Sequence, residues 1–230
     1  LENEKNPVLL NKKVISTIPI EYKIDGKKVL GDPVGMKGNK LESQILYITC
    51  LAQHLHDLIQ SIEEANIEIE DIYSSPVAGS FVTLTKTQKI AGCVLANLGA
   101  ETVSIIVFEN NIPISLEVFP IGSTNITNNI ALELKIPLEE AEKIKHGLIT
   151  STIYPRKKLE EIVEVQLQNI FKLIEAHLKK INRNALLPAG IVISGGGSGI
   201  VMVKDLAEIS LNLPSRIANV NFVTGSNSVV

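Results

Sequence analysis

Three consecutive glycines, Gly195, Gly196 and Gly197, end the run Ala189-Gly190-Ile191-Val192-Ile193-Ser194. A short β-branched apolar run of this kind fits a strand buried on both faces of a parallel sheet. Glycine loses more backbone freedom on folding than any other residue, so three in succession need a reason. One reason is a ligand lying against the backbone, where N–H groups at a helix start approach an adenosine or a phosphate. The other is a tight strand-to-helix turn with no ligand. A second strand and turn lie about a hundred residues earlier: Cys93 to Leu98, then Gly99-Ala100-Glu101-Thr102. This turn reads either as a phosphate grip, with Thr102 donating a hydroxyl, or as an ordinary hairpin turn. Glu101 opposes the first reading. Like charges about 4 Å apart cost on the order of 4 kcal/mol at an effective dielectric of about 20.

A third constellation is Glu139-Glu140-Ala141-Glu142-Lys143-Ile144-Lys145. Glu142 and Lys145 are three apart and share a helix face, so they either clasp a ribose and base or pair with each other in solvent. The histidines offer less. His54 and His56 are two apart and point different ways on a helix, and His177 lies on a long helix with no matching ligand. No Cys/His group has metal-binding spacing. Ser194 and Ser198 flank the glycines, but neither has an identifiable base, and the Gly-x-Ser-x-Gly pattern of a nucleophile elbow is missing.

These residues need elements to hold them. Val14 to Ile24 alternates and reads as a strand, with Pro19 pushing it toward an edge or a bulge. Leu41 to Cys50 reads as a second strand. Leu55, Leu58, Ile59, Ile62 and Ala65 form one face of a helix over 54–65, and Asn66 suits its stop. Ile67 to Tyr73 alternates again, which predicts a β-β-α-β unit. Pro76 to Leu84 reads as a helix, and Ile90 to Leu98 and Ser104 to Phe108 as strands. Asn110-Asn111 forms a hairpin tip before a strand over 113–119. Thr124 to Leu134 and Pro137 to His146 read as helices, and a long one runs from about Leu159 to Ile181, its apolar stripe marked by Val163, Leu167, Ile170 and Ile174. A helix through Asp205 to Ser210 follows the triple glycine.

Composition narrows the classes. The chain has 230 residues, 45% hydrophobic and 20% charged, with a net charge of −3. This mildly acidic balance excludes general nucleic-acid affinity, which needs a basic surface to release counterions. No run reaches the roughly 18 apolar residues of a spanning helix. Cys50 and Cys93 lie far apart in apolar runs and read as buried free thiols of a cytosolic protein.

Taken in order, the pieces resemble one family. Ile18 to Gly26 followed by Asp32 to Glu42 is similar to the inserted subdomain of the bacterial cell-division protein FtsA family. Asp71 to Ser80 resembles that family's passage into its nucleotide core. Asn97 to Phe108 falls where it has its second phosphate motif. Pro120-Ile121-Gly122, Ile126 to Ala131 and Ala141 to Lys145 are similar to the next block, and Ile193 to Ser198 to the adenosine motif. The resemblance covers nearly the whole chain and implies an α/β, actin-like (ribonuclease H-like) fold with an inserted β-β-α-β subdomain. It implies residues 1–70 as that subdomain and 71–91 as part of the N-terminal lobe. It assigns 92–123 and 188–230 to a second-lobe core, and 124–187 to a helical outer subdomain with a shortened sheet.

The resemblance also implies a function. Members bind ATP with Mg²⁺ between two lobes, assemble into protofilaments, and tether FtsZ through its C-terminal tail to the cytoplasmic face of the inner membrane at the division site. Membrane contact is made through a C-terminal amphipathic helix, and later division proteins are recruited. Carried over to this chain, Gly195, Gly196, Gly197 and Ser198 approach adenosine, Glu142 and Lys145 flank ribose and base, and Gly99, Ala100 and Thr102 lie at the phosphates. The chain departs from the family at Asn97 and Ser104, where Asp is frequent, and at Ala100 and Glu101, where glycine is common. Its phosphate side is therefore expected to be eroded, with no residue assigned to catalysis and ATP acting as an assembly ligand. The first phosphate loop and the membrane helix are expected to lie outside the chain. A small-molecule kinase of the same superfold and a nucleotide-independent interaction module are the alternatives.

Overall fold

The computed structural model describes residues 11–148 and 154–219, and the chain divides into two units, Leu1–Ala78 and Gly79–Val230. In the first unit, strands β1 (Lys12–Ile24), β2 (Lys27–Val29) and β3 (Leu41–Leu51) form an antiparallel sheet in the order β2-β1-β3. Pro19 sits in the central strand without breaking it. The register slips between Pro19 and Glu21, and β2 pairs only with Tyr22–Ile24, so Pro19 meets no second neighbour among the described strands. This is the bulge expected of a residue with no N–H to give. Helix α1 (Ala52–Glu64) follows, and Asn66 ends it with φ +59. The strand expected over Ile67–Tyr73 is not formed. Its alternation names a face, but a strand also needs a ladder partner, and Ile67 and Tyr73 are both exposed.

The division between the units falls within α2 (Ser75–Thr83). Helix α3 (Lys86–Ala91) takes Ile90 and Ala91 from the expected strand. Its start is a capping box in which Thr85 and Gln88 satisfy each other's backbone N–H groups. Strands β4 (Cys93–Leu98), β5 (Val103–Glu109) and β6 (Ile112–Phe119) then form an antiparallel meander. Asn110 and Asn111, both left-handed at φ +51 and +65, make the tip of the second hairpin. Helices α4 (Ser123–Leu134), α5 (Leu138–Lys145) and α6 (Arg156–Lys180) carry the chain across to β7 (Ile191–Ser194), which pairs parallel with β4. A 3-10 turn (Gly196–Gly199), α7 (Val203–Leu211) and β8 (Ser215–Ile217) complete the described unit. Its sheet order is β6-β5-β4-β7-β8.

The core of this unit follows from the pattern. All of β4 but Asn97 is buried, as is all of β5 but Glu109. Val163, Leu167, Ile170, Phe171, Ile174 and Leu178 present one buried stripe of α6. Both cysteines are free, Cys93 buried and Cys50 only partly so.

His177 makes two side-chain contacts. Its Nε2 lies 2.7 Å from Ser115 Oγ and its Nδ1 3.4 Å from Glu117, two residues of one face of β6. Burial pushes the imidazole pKa down, Glu117 pulls it back up, and Lys180 adds a further downward push, for a net decrease. As the pH falls, the unfolded chain therefore takes up this proton first. Stability from this site is intact above the ordinary histidine value of 6.5 and is lost as pH drops through and below it. We expect the melting temperature of the chain to fall on acidification from about pH 7 to 5. The slope should be measurably flatter in His177→Gln; equal slopes in thermal melts would show that His177 is not the titrating group.

Candidate functional site

β4 and β7 are parallel neighbours with Asn97 opposite Ser194. The two glycine turns therefore leave the same edge of the sheet, at the carboxyl ends of adjacent strands, where open α/β sheets form ligand crevices. The contact between them is close. A Cβ on Gly195, which has φ +85, would stand 2.3 Å from Asn97 Oδ1 and 2.6 Å from the Leu98 carbonyl oxygen; one on Gly197 would stand 2.8 Å from Leu98 Cβ. A Cβ on Gly196 would meet nothing within 4 Å. The first and third glycines are thus required by the end of β4 itself, and the middle one leaves open backbone. Ser198 closes the turn by donating its hydroxyl to the Gly195 carbonyl at 2.7 Å.

The Gly99 turn is held from the other side. Gly99 N–H donates to the Thr102 carbonyl at 2.9 Å. The carbonyls of Gly99 and Ala100 accept from Ser123 and Thr124, both at 2.9 Å. These are among the first N–H groups of α4, which a helix cannot satisfy internally. Asn125 Oδ1 accepts from Gly122 N–H at 3.0 Å, and a Cβ on Gly122 would fall 2.0 Å from the Ala100 carbonyl oxygen. The turn therefore caps α4, and Ala100, Glu101 and Thr102 stay exposed at its tip.

Lys145 ties α5 to this turn. Its side chain is almost fully buried, and Nζ donates to Glu142 Oε2 at 2.6 Å, to Thr127 Oγ1 at 2.8 Å and to the Ser123 carbonyl at 3.3 Å. Thr127 Oγ1 also bonds Glu142 Oε2. Burial alone would raise the Glu142 pKa. The hydrogen bonds from Lys145 and Thr127, with the charges of Lys145 and His146, outweigh it and hold the carboxyl below its ordinary value. The other oxygen, Oε1, faces His146 Nε2 at 3.3 Å. The Nδ1 of that ring stands 3.3 Å from where a Cβ on Gly199 would be. One circuit thus runs from the Gly99 turn through Ser123, Lys145, Glu142 and His146 to the glycine turn at 195–199, which in turn packs on Leu98.

The sequence-identified residues come together, with Lys145 one residue, Ser123, away from the Gly99 turn. Ser123, Thr127 and His146 were missed. The signal for His146 was its spacing of four from Glu142 on one helix; Thr127 stands likewise four from Ser123. Beside Lys145 lies a cavity of about 290 Å³ lined by Ile144, Tyr154, Arg156, Val201 and Met202. The side carrying Gly196 and Glu142 thus has open backbone, a carboxylate and a hollow of mixed polar and apolar lining nearby. The other side offers the Thr102 hydroxyl next to the Glu101 carboxylate.

The glycine turn makes a graded prediction. Gly195→Ala and Gly197→Ala should each destabilise the chain by roughly 2–4 kcal/mol, from strain and overpacking. Gly196→Ala should stay within about 0.5 kcal/mol, as at a site away from such features. Urea unfolding of the three variants checks this, and equal losses at all three positions would refute the assignment of the outer two to chain packing.

Comparison with known proteins places this geometry. Residues 94–228 match the family described as "Cell division protein FtsA", and residues 2–49 match "SHS2 domain inserted in FTSA". The chain is 28% identical to cell division protein FtsA of Pseudomonas aeruginosa, covering 96% of this chain and 58% of that protein. It is 29% identical to FtsA of Bacillus subtilis, covering 91% and 52%. The chain therefore spans about half the length of these curated relatives. Among solved structures, it is similar to one of the PilM-PilN type IV pilus biogenesis complex, with TM-score 0.72 and 14% identity over 94% of this chain and 59% of that one. It is also similar to MreB 5 of Spiroplasma citri bound to AMPPNP, with TM-score 0.63 and 13% identity over 74% and 60%. The fold is actin-like, and the chain belongs to the FtsA family of cell-division proteins.

Proposed function

We propose that this chain is part of a cell-division scaffold in which ATP with Mg²⁺ is held as an assembly ligand and is not turned over. The observation that carries this reading is the placing of two glycine turns side by side at the carboxyl ends of β4 and β7. An actin-like neighbour bound to AMPPNP supports it. Gly196, Ser198, Glu142 and Lys145 would hold the adenosine side, with Gly195 and Gly197 shaping the turn, and Gly99, Ala100 and Thr102 would meet the phosphates. The residues fit the base and ribose better than the phosphates. A bound Mg²⁺ would offset phosphate charge near Glu101, while Asn97 accepts a hydrogen bond but adds no charge to the ion's shell.

In this reading residues 1–70 are the inserted subdomain that meets later division proteins, and 71–91 belong to the N-terminal lobe. Residues 92–123 and 188–230 form the nucleotide core, and 124–187 the outer subdomain facing the C-terminal tail of FtsZ. Nucleotide sets self-association into protofilaments at the cytoplasmic face of the inner membrane, which a C-terminal helix contacts.

Thermal shift with Mg-ATP tests the nucleotide part. Ligand at about a hundred times its dissociation constant stabilises by roughly 2.7 kcal/mol. Glu142→Gln should reduce that shift. No shift with wild-type chain at millimolar ATP overturns the nucleotide part and leaves the interaction module, which binding of an FtsZ-tail peptide would then report.

A further inference from the structure

We propose that His146 is a wedge built into this cleft: its imidazole fills the gap between the ribose wall and the glycine turn, and nucleotide must displace it. The inference rests on the reading above that Glu142 and the 195–199 turn hold the nucleotide. The ring reaches from one wall to the other. Nε2 is 3.3 Å from Glu142 Oε1, and Nδ1 and Cε1 of the same ring are 3.3 and 3.7 Å from the Cβ position of Gly199.

The competition is for a particular atom. Glu142 Oε2 is committed to Lys145 and Thr127, so Oε1 is the oxygen free to meet a ribose hydroxyl. His146 already holds it. The ring also hangs where it has freedom to leave. His146 is the residue that ends α5, Gly147 follows in the left-handed region at φ +73, and the imidazole is about a third exposed (31%). Swinging it out breaks no helical turn, whereas moving Lys145 would empty three hydrogen bonds.

Charge sets how firmly the wedge sits. Glu142 faces the ring directly, and Lys145 lies behind that carboxylate on the same helix. The turn at Gly196–Gly199 presents no charged side chain, and Arg156 and Glu160 line the adjoining cavity. A protonated imidazole makes an ion pair with Glu142, and a neutral one does not. The contact with Glu142 therefore helps to hold the wedge in place.

The test is titration of Mg-ATP into this chain, followed by calorimetry, with His146→Ala and His146→Gln alongside. His146→Ala should bind up to roughly fivefold tighter than wild type, the reach of an exposed polar contact acting on the open population. His146→Gln, which can still hydrogen-bond Glu142, should fall between wild type and His146→Ala. Equal or weaker binding by His146→Ala overturns the wedge while leaving the nucleotide reading in place. If none of the three proteins binds, the nucleotide reading itself fails and the wedge falls with it.

Discussion

The parallel pairing of β4 with β7 is the constraint on which the second unit is built. Four residue pairs, from Val94 opposite Ile191 to Asn97 opposite Ser194, join segments separated by almost a hundred residues. Closing that separation costs loop entropy before any contact is gained. The return comes from burial: β4, β5 and β7 are almost wholly enclosed, and α6 lays a continuous apolar stripe among them. Because the strands run parallel, both turns leave the same edge. The site is a by-product of the pairing, and no separate interaction has to bring the turns together.

The pairing also explains why two of the three glycines are there. A turn that leaves β7 beside the end of β4 runs into Asn97 and Leu98, and a side chain at Gly195 or Gly197 would collide with them. The demand for a missing Cβ is met by the chain's own backbone. Only Gly196 is spare, so a ligand argument built on three glycines reduces to one built on one. The Gly99 turn follows the same rule. Two of its carbonyls are spent on the first N–H groups of α4, so its shape answers to the helix as much as to any phosphate.

These details decide how much was legible in the sequence. Elements with long periods were: the α6 stripe, the strands flanking Gly99 and the Asn110-Asn111 tip follow from local chemistry that the chain does not override. Short elements were not. The helix α3 has six residues, and its capping box competes with a β-branched run that reads as strand. The alternation over Ile67–Tyr73 predicts a face but carries no information about a partner, and no ladder forms there. The candidate site was legible as residue types and illegible as wiring. Glu142 and Lys145 were recognisable as a pair, but nothing in their spacing shows that Lys145 is buried or that Ser123 connects it to the Gly99 turn much earlier in the chain. The partners of His177, Ser115 and Glu117, lie some sixty residues away on another element, so its spacing along the helix does not reveal them.

The wiring of Lys145 bears on what the site can do. A buried ammonium is tolerated only with its hydrogen bonds met, and here three protein oxygens meet them. A cation so engaged is costly to redirect toward a transferring phosphate, since each step it takes leaves an acceptor on Ser123, Thr127 or Glu142 unpaired. Its charge acts instead through Glu142, whose carboxyl it keeps ionised, and through Ser123, whose N–H holds Gly99 in place. Lys145 is thus a buried joint, while Glu142 Oε1 and His146 make a more exposed contact beside it.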